Sequence, residues 1–116
     1  MNNKLTYERI KDIVIIHFPE TYFVGNWGEM LELVRFKKIL EAKYIIIDLS
    51  NVKYIDDCGG EFYILRKEFK EIGGKDVILS GMPEAFQKIF KHIEDKIDEE
   101  KIRRYNIIED AIKSIE

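Results

Sequence analysis

The run Tyr44-Ile45-Ile46-Ile47-Asp48-Leu49 constrains the fold more than any other stretch of the chain. Consecutive apolar residues leave no side free for solvent, so a strand here must be covered on both faces. The segments on either side carry the spacing of helices. A buried strand between helices is the mark of a sheet with helices packed on it.

The remaining elements read outward from that strand. Leu5 to Arg9 and the β-branched stretch Ile13 to Phe18 are expected to form a hairpin around Lys11-Asp12. Pro19 ends the second strand because it has no ladder N–H. Glu20 to Gly25 reads as irregular. Asn26 is placed to cap a helix over Trp27 to Glu41, whose apolar stripe is too broad for one exposed face. Ser50-Asn51 makes a turn, and Val52 to Ile55 is extended. Cys58, Phe62, Leu65, Phe69 and Ile72 recur at i, i+4, i+7, i+11 and i+14, which predicts a helix over Asp57 to Ile72. Gly73-Gly74 terminates it. Asp76 to Leu79 is a second central strand. Pro83 suits the first position of a helix bearing Phe86, Ile89, Phe90 and Ile93. Ile102 to Tyr105 is a short edge strand. Asn106 with Glu109 resembles a capping box for a last helix carrying Ile108, Ala111, Ile112 and Ile115. The order β-β-α-β-α-β-α-β-α implies a mixed, mostly parallel sheet with about four helices. Ile45, Ile47, Ile78, Leu65, Phe69 and Phe90 are expected in its core.

A chain of 116 residues fits one domain, taken here as 1–116. The single cysteine allows no internal disulfide and suits a reducing compartment. Residues 1–10 show neither the apolar run nor the cleavage site of a secretory signal, and no apolar stretch approaches the ~20 residues that span a bilayer. A cytoplasmic protein without direct membrane insertion is expected. A net charge of −3 argues against nucleic acid as a partner.

The chain displays no catalytic constellation. Its three serines, two threonines and two histidines form no recognisable triad signature. One cysteine with two distant histidines makes a poor zinc site, and the glycine pairs do not form a phosphate loop. His17 in a strand and His92 at a helix end suit packing or surface roles. No enzyme activity, metal or cofactor is expected, and no motif points to a nucleotide or small-ligand sensor.

One segment rises above this background: Asp48-Leu49-Ser50-Asn51-Val52-Lys53-Tyr54-Ile55-Asp56-Asp57-Cys58-Gly59-Gly60. Asp56 and Asp57 fall where a helix N-terminus leaves free N–H groups and a positive dipole end, so simple capping accounts for them. Cys58 near that terminus invites a lowered thiol pKa. Two flanking carboxylates oppose the shift, and the apolar stripe favours a small buried thiol.

This segment resembles the core motif of STAS domains (sulfate transporter and anti-sigma-factor antagonist). Asp48-Leu49-Ser50 matches its first part, and Ile55-Asp56-x-x-Gly59 its second. The similarity runs on through Gly73-Gly74, Met82-Pro83-Glu84 and Glu109-Asp110-Ala111-Ile112, in family order along nearly the whole chain. The resemblance implies a single STAS-like α/β domain and a regulatory, protein-binding role. In the family's anti-sigma-factor antagonists, a serine or threonine just before the glycine is phosphorylated by a partner kinase that is also the anti-sigma factor. Here that position is Cys58, preceded by Asp57. The switch depends on the ~1.5–2 negative charges that phosphate adds; Asp57 supplies a smaller, permanent one. The chain also lacks the usual Gly-x-x-Asp after the second strand, and its acidic stretch Glu94 to Glu100 is longer.

The resemblance therefore implies a bacterial antagonist-like module without the phosphorylation switch, its partner being a protein such as a histidine-kinase-like anti-sigma factor. Its expected binding surface is Ile55, Asp56, Asp57, Cys58, Gly59 and Gly60, with Tyr63, Arg66 and Lys67 on the exposed side of the following helix and the Asn26-Trp27 region nearby. Two alternatives stand beside it: a STAS subunit of a larger signalling or membrane-transport assembly, and a thiol-based redox sensor using Cys58.

Overall fold

The computed structural model describes residues 5–22, 32, 41–55 and 60–116, with Tyr22 and Ile55 described by backbone alone. Strands β1 (Thr6–Ile10) and β2 (Ile13–His17) form the expected antiparallel hairpin, with Lys11 at φ 55° in its turn. β3 (Thr21–Tyr22), β4 (Tyr44–Asp48) and β5 (Tyr54–Ile55) follow. Helix α1 (Gly60–Glu71) leads to β6 (Asp76–Ser80), α2 (Glu84–Glu94), β7 (Arg104–Tyr105) and α3 (Ile108–Ile115). The main sheet has the order β1-β2-β4-β6-β7, parallel except for the hairpin. The mixed sheet and its buried central strand are as expected. Of the helix expected over 27–41, only Glu32 and Glu41 are described; Glu32 is helical.

Alternation along the central strands divides the core in two. Val14, Ile16, Ile45, Ile47, Val77 and Leu79 join Phe62, Leu65 and Phe69 of α1 and Phe86 and Phe90 of α2. Ile13, Ile15, Ile46 and Ile78 face the other way, onto Ala111 with Ile108, Ile112 and Ile115 of α3. This is why the sequence of β4 reads as an unbroken apolar run. All six residues expected in the core are fully buried. On the first face, the Phe62 ring lies 5.9 Å from Phe18, 6.4 Å from Phe86 and 5.9 Å from Phe90, in tilted and edge-on arrangements.

Several expected boundaries shift, each for a local reason. Thr21–Tyr22 is a strand within the stretch read as irregular. The Glu20 carbonyl accepts the N–H groups of Lys53 (2.7 Å) and Tyr54 (3.0 Å), which starts a parallel pair with β5. Pro83 precedes α2 as its N-cap, with φ −58° and ψ 144°, and its carbonyl accepts the Gln87 N–H at 2.9 Å. The Asn106–Glu109 capping box does not form. β7 stays tied to the chain just after β6 through its last residue, the Gly81 N–H donating to Tyr105 O at 3.0 Å, and Ile107, at φ −134° and ψ 154°, is the N-cap of α3. Ile102 lies outside the edge strand because its N–H donates to the Tyr63 hydroxyl. Ile72 is exposed, one residue beyond the end of α1.

Gly73-Gly74 does end α1. Gly73 has φ 103°, its N–H reaches Lys70 O, and the Gly74 N–H reaches Phe69 O at 2.9 Å, the paired bonds of a Schellman cap. A Cβ at Gly74 would overlap the Phe69 ring.

Candidate functional site

The Asp48-Leu49-Ser50 segment is a turn held from both sides. The Leu49 N–H donates to Ser80 O at 2.8 Å, tying the end of β4 to β6. The Asp48 Oδ1 atom accepts the Ser50 N–H at 3.0 Å, and Val52 N–H closes onto Leu49 O at 3.1 Å. Gly81 lies against this turn at φ +68°; a Cβ there would come within 2.9 Å of Ser50 Cβ and 3.1 Å of its backbone. The Asp48-Leu49-Ser50 triplet therefore shapes the path by which the chain leaves the sheet toward β5.

Asp56, Asp57, Cys58 and Gly59 lie outside the described residues, as do Asn26 and Trp27. Their frame is described. Ile55 ends β5, and Gly60 starts α1 close to α2, since a Cβ on it would stand 3.9 Å from Ile93 Cγ2. Beside this frame opens a cavity of about 610 Å³ lined by Thr21, Val52, Tyr54, Pro83, Phe86 and Ile89, among others. Tyr54 is 65% exposed, and Ile89 is also exposed. Sequence reasoning assigned Ile89 to the core face of its helix and gave Tyr54 no role. The i+3 spacing is shared by both readings, so nothing local separates them.

Two residues expected on the exposed side of α1 are buried: Tyr63 and Arg66. Lys67 is exposed as expected. The correction has a clear cause. The Tyr63 hydroxyl donates to Glu94 Oε2 and accepts the Ile102 N–H at 3.2 Å. Burial, with the hydrogen bond to Glu94 added, pushes its pKa up to about 12. Arg66 stacks over the Tyr63 ring at 5.0 Å and donates through Nη2 to Glu100 O, with Glu99 at 3.8 Å. Glu94 is buried, and its Oε1 forms an ion pair with Arg104 Nη1 at 3.1 Å without hydrogen-bond geometry. These residues clamp α1 and α2 to the segment leading into β7.

A second polar group crosses the open end of β2 and β4. His17 Nδ1–H donates to Asp48 Oδ2 at 2.6 Å, and Nε2–H donates to Glu8 Oε1 at 3.0 Å. Both partners are carboxylates, which accept, so the imidazolium is the form that satisfies both contacts. Burial pulls its pKa down, but the hydrogen bonds and charges of Asp48 and Glu8 outweigh that and hold it above 6.5. His17 was expected only to pack or face solvent. Its partners come from β4 and β1, and strand register is invisible in the sequence. A raised folded pKa gives stability that is fully present below pH 6.5 and is lost as pH rises through the folded value. The natural chain should therefore lose thermal midpoint as pH rises above 6.5, and His17→Gln should flatten that fall; an unchanged profile would place the pH dependence elsewhere.

No group of three or more His, Cys, Asp or Glu side chains suited to a metal occurs among the described residues. No helix among them is long and apolar enough to cross a membrane.

The STAS domain family model matches residues 4–106, and the chain belongs to that family. Its fold is similar to that of a proposed anti-sigma factor antagonist from Thermotoga maritima (TM-score 0.72, 22% identity, 96% of this chain and 93% of the other). It is also similar to the anti-sigma factor antagonist SpoIIAA in its unphosphorylated form (TM-score 0.76, 14% identity, 97% and 96%). A further likeness is to the murine Slc26a9 anion transporter, of which the match covers 18%, and 92% of this chain (TM-score 0.69, 15% identity).

Proposed function

We propose that the chain is a non-enzymatic regulatory module that binds a protein partner in the manner of the anti-sigma-factor antagonists, through residues 55–60 and the surface beside them. The observation that carries this reading is the apolar lip of Tyr54 and Ile89 around the cavity next to that segment. Exposed aromatic and aliphatic groups around a pocket are what a partner's anchor side chain fills. Lys67 extends the surface along α1; Tyr63 and Arg66 support it from inside. The family relationship makes a histidine-kinase-like anti-sigma factor the partner class to test first. Cys58 in the acceptor position makes the binding unswitched by phosphate, with Asp57 supplying a fixed charge.

Incubation with such a kinase and ATP should leave residues 55–60 unphosphorylated in intact mass and peptide mapping. Calorimetry against the kinase should show Ile89→Glu weakening binding by tenfold or more, with a lesser change for Asp57→Ser. Unchanged affinity in Ile89→Glu and in a folded Cys58→Trp variant would remove this surface from the interface.

A further inference from the structure

A polar row closes the sheet on the side away from that lip. His17, Asp48, Ser80 and Tyr105 are register partners across β2, β4, β6 and β7. By alternation His17, Asp48 and Ser80 share the face of Ile15, Ile46 and Ile78, which α3 covers. Where α3 begins, a cavity of about 210 Å³ opens over the carboxyl ends of β4 and β6. Ligands of open parallel sheets bind at such ends. Asp48 and Ser80 form the buried floor; Ser50, Asn106 and Glu109 stand exposed at the mouth, and Ile107 and Ile108 make an apolar wall.

Ser80 is 1% exposed, and its Oγ has no hydrogen-bond partner among the described residues. A buried hydroxyl left so is costly, and the cavity is the place a partner can come from. The Asp48 oxygens are engaged by Ser50 N–H and His17, yet each keeps a lone pair. Two of the lining residues are acidic and none is basic. The α3 N-terminus would attract an anion, but Glu109 and Asp110 in its first turn oppose one.

We propose that this cavity is a binding site for a small primary ammonium compound, whose N–H groups donate to Ser80 Oγ and Asp48 while its carbon chain lies on Ile107 and Ile108. The volume equals roughly seven water shares of ~30 Å³, which suits a ligand of a few non-hydrogen atoms. The site is separate from the proposed protein interface and does not depend on it.

The test uses n-butylammonium as the probe on the ¹⁵N-labelled chain, with n-butanol and inorganic phosphate as controls. The ammonium probe should shift the amides of Ser50, Ser80, Gly81 and Ile107 saturably, and the controls should not. Ser80→Ala should weaken binding by fivefold or more, and Glu109→Gln, a change at the exposed mouth that spares the core, should weaken it severalfold. The proposal is overturned if these amides do not respond, if butanol or phosphate shifts them equally, or if both variants bind as the natural chain does.

Discussion

Replacing Phe69 by alanine is expected to lower the unfolding free energy by about 3–5 kcal/mol, the range for removing a packed aromatic side chain. Phe69 is fully buried in the cluster that joins α1 and α2 to one face of the sheet. Its ring also lies beneath Gly74, where no other residue would leave it room. Its carbonyl accepts the capping N–H of that same glycine, so the helix end and the ring position are coupled. Its helix packs on β6, whose Val77 and Leu79 belong to the same buried cluster. Ile72→Ala, three residues on and exposed, should cost under about 1 kcal/mol, as surface truncations commonly do. Urea unfolding of both variants checks the pair. A small loss at Phe69 would contradict the packing of α1 described above.

The second large effect is expected at Arg104. Its guanidinium pairs with Glu94 and lies 5.5 Å from the Phe90 ring centroid. The Glu94 side chain is 1% exposed and that of Arg104 35%. The asymmetry decides which deletion hurts more. Arg104→Ala removes the countercharge of a buried carboxylate whose hydrogen bond comes from the Tyr63 hydroxyl, on Oε2. Glu94→Gln instead leaves Arg104 able to reach water and keeps an acceptor for Tyr63. Breaking a buried pair from one side costs about 3–5 kcal/mol. The exposure of Arg104 puts the expected loss near the lower end, about 3 kcal/mol, and that of Glu94→Gln clearly below it. Chemical denaturation that ranked the two variants in the opposite order would mean the carboxylate is not the group that depends on its partner.

Neither effect could be ranked from the sequence in the same way. Phe69 is legible there, because helical periodicity assigns it to a buried stripe whatever the stripe packs against. In the sequence, Glu94 opens the acidic run Glu94 to Glu100 and Arg104 falls in the basic cluster that follows it, a pattern that suits a solvated surface. The burial of Glu94 and its pairing with Arg104 follow from the path of residues 95–103, which returns the chain to β6 past Tyr63 and Arg66 of α1. The same path covers Tyr63 and Arg66, which the spacing of α1 placed toward solvent.

By itself, the sequence determined the mixed sheet, its doubly covered central strand, the helices built on Phe62, Leu65, Phe69, Phe86 and Phe90, and the Asp48-Leu49-Ser50 signature of the family. Each follows from periodicity, turn chemistry or an ordered motif, all of which act over a few neighbouring residues. Tertiary structure alone decided the alignment of His17, Asp48 and Ser80, the burial of the Ser80 hydroxyl, the pairing of β3 with β5 and the exposure of Ile89. Those depend on which strands lie side by side and in what register, and that choice is made by the summed burial of both sheet faces, which no single segment carries.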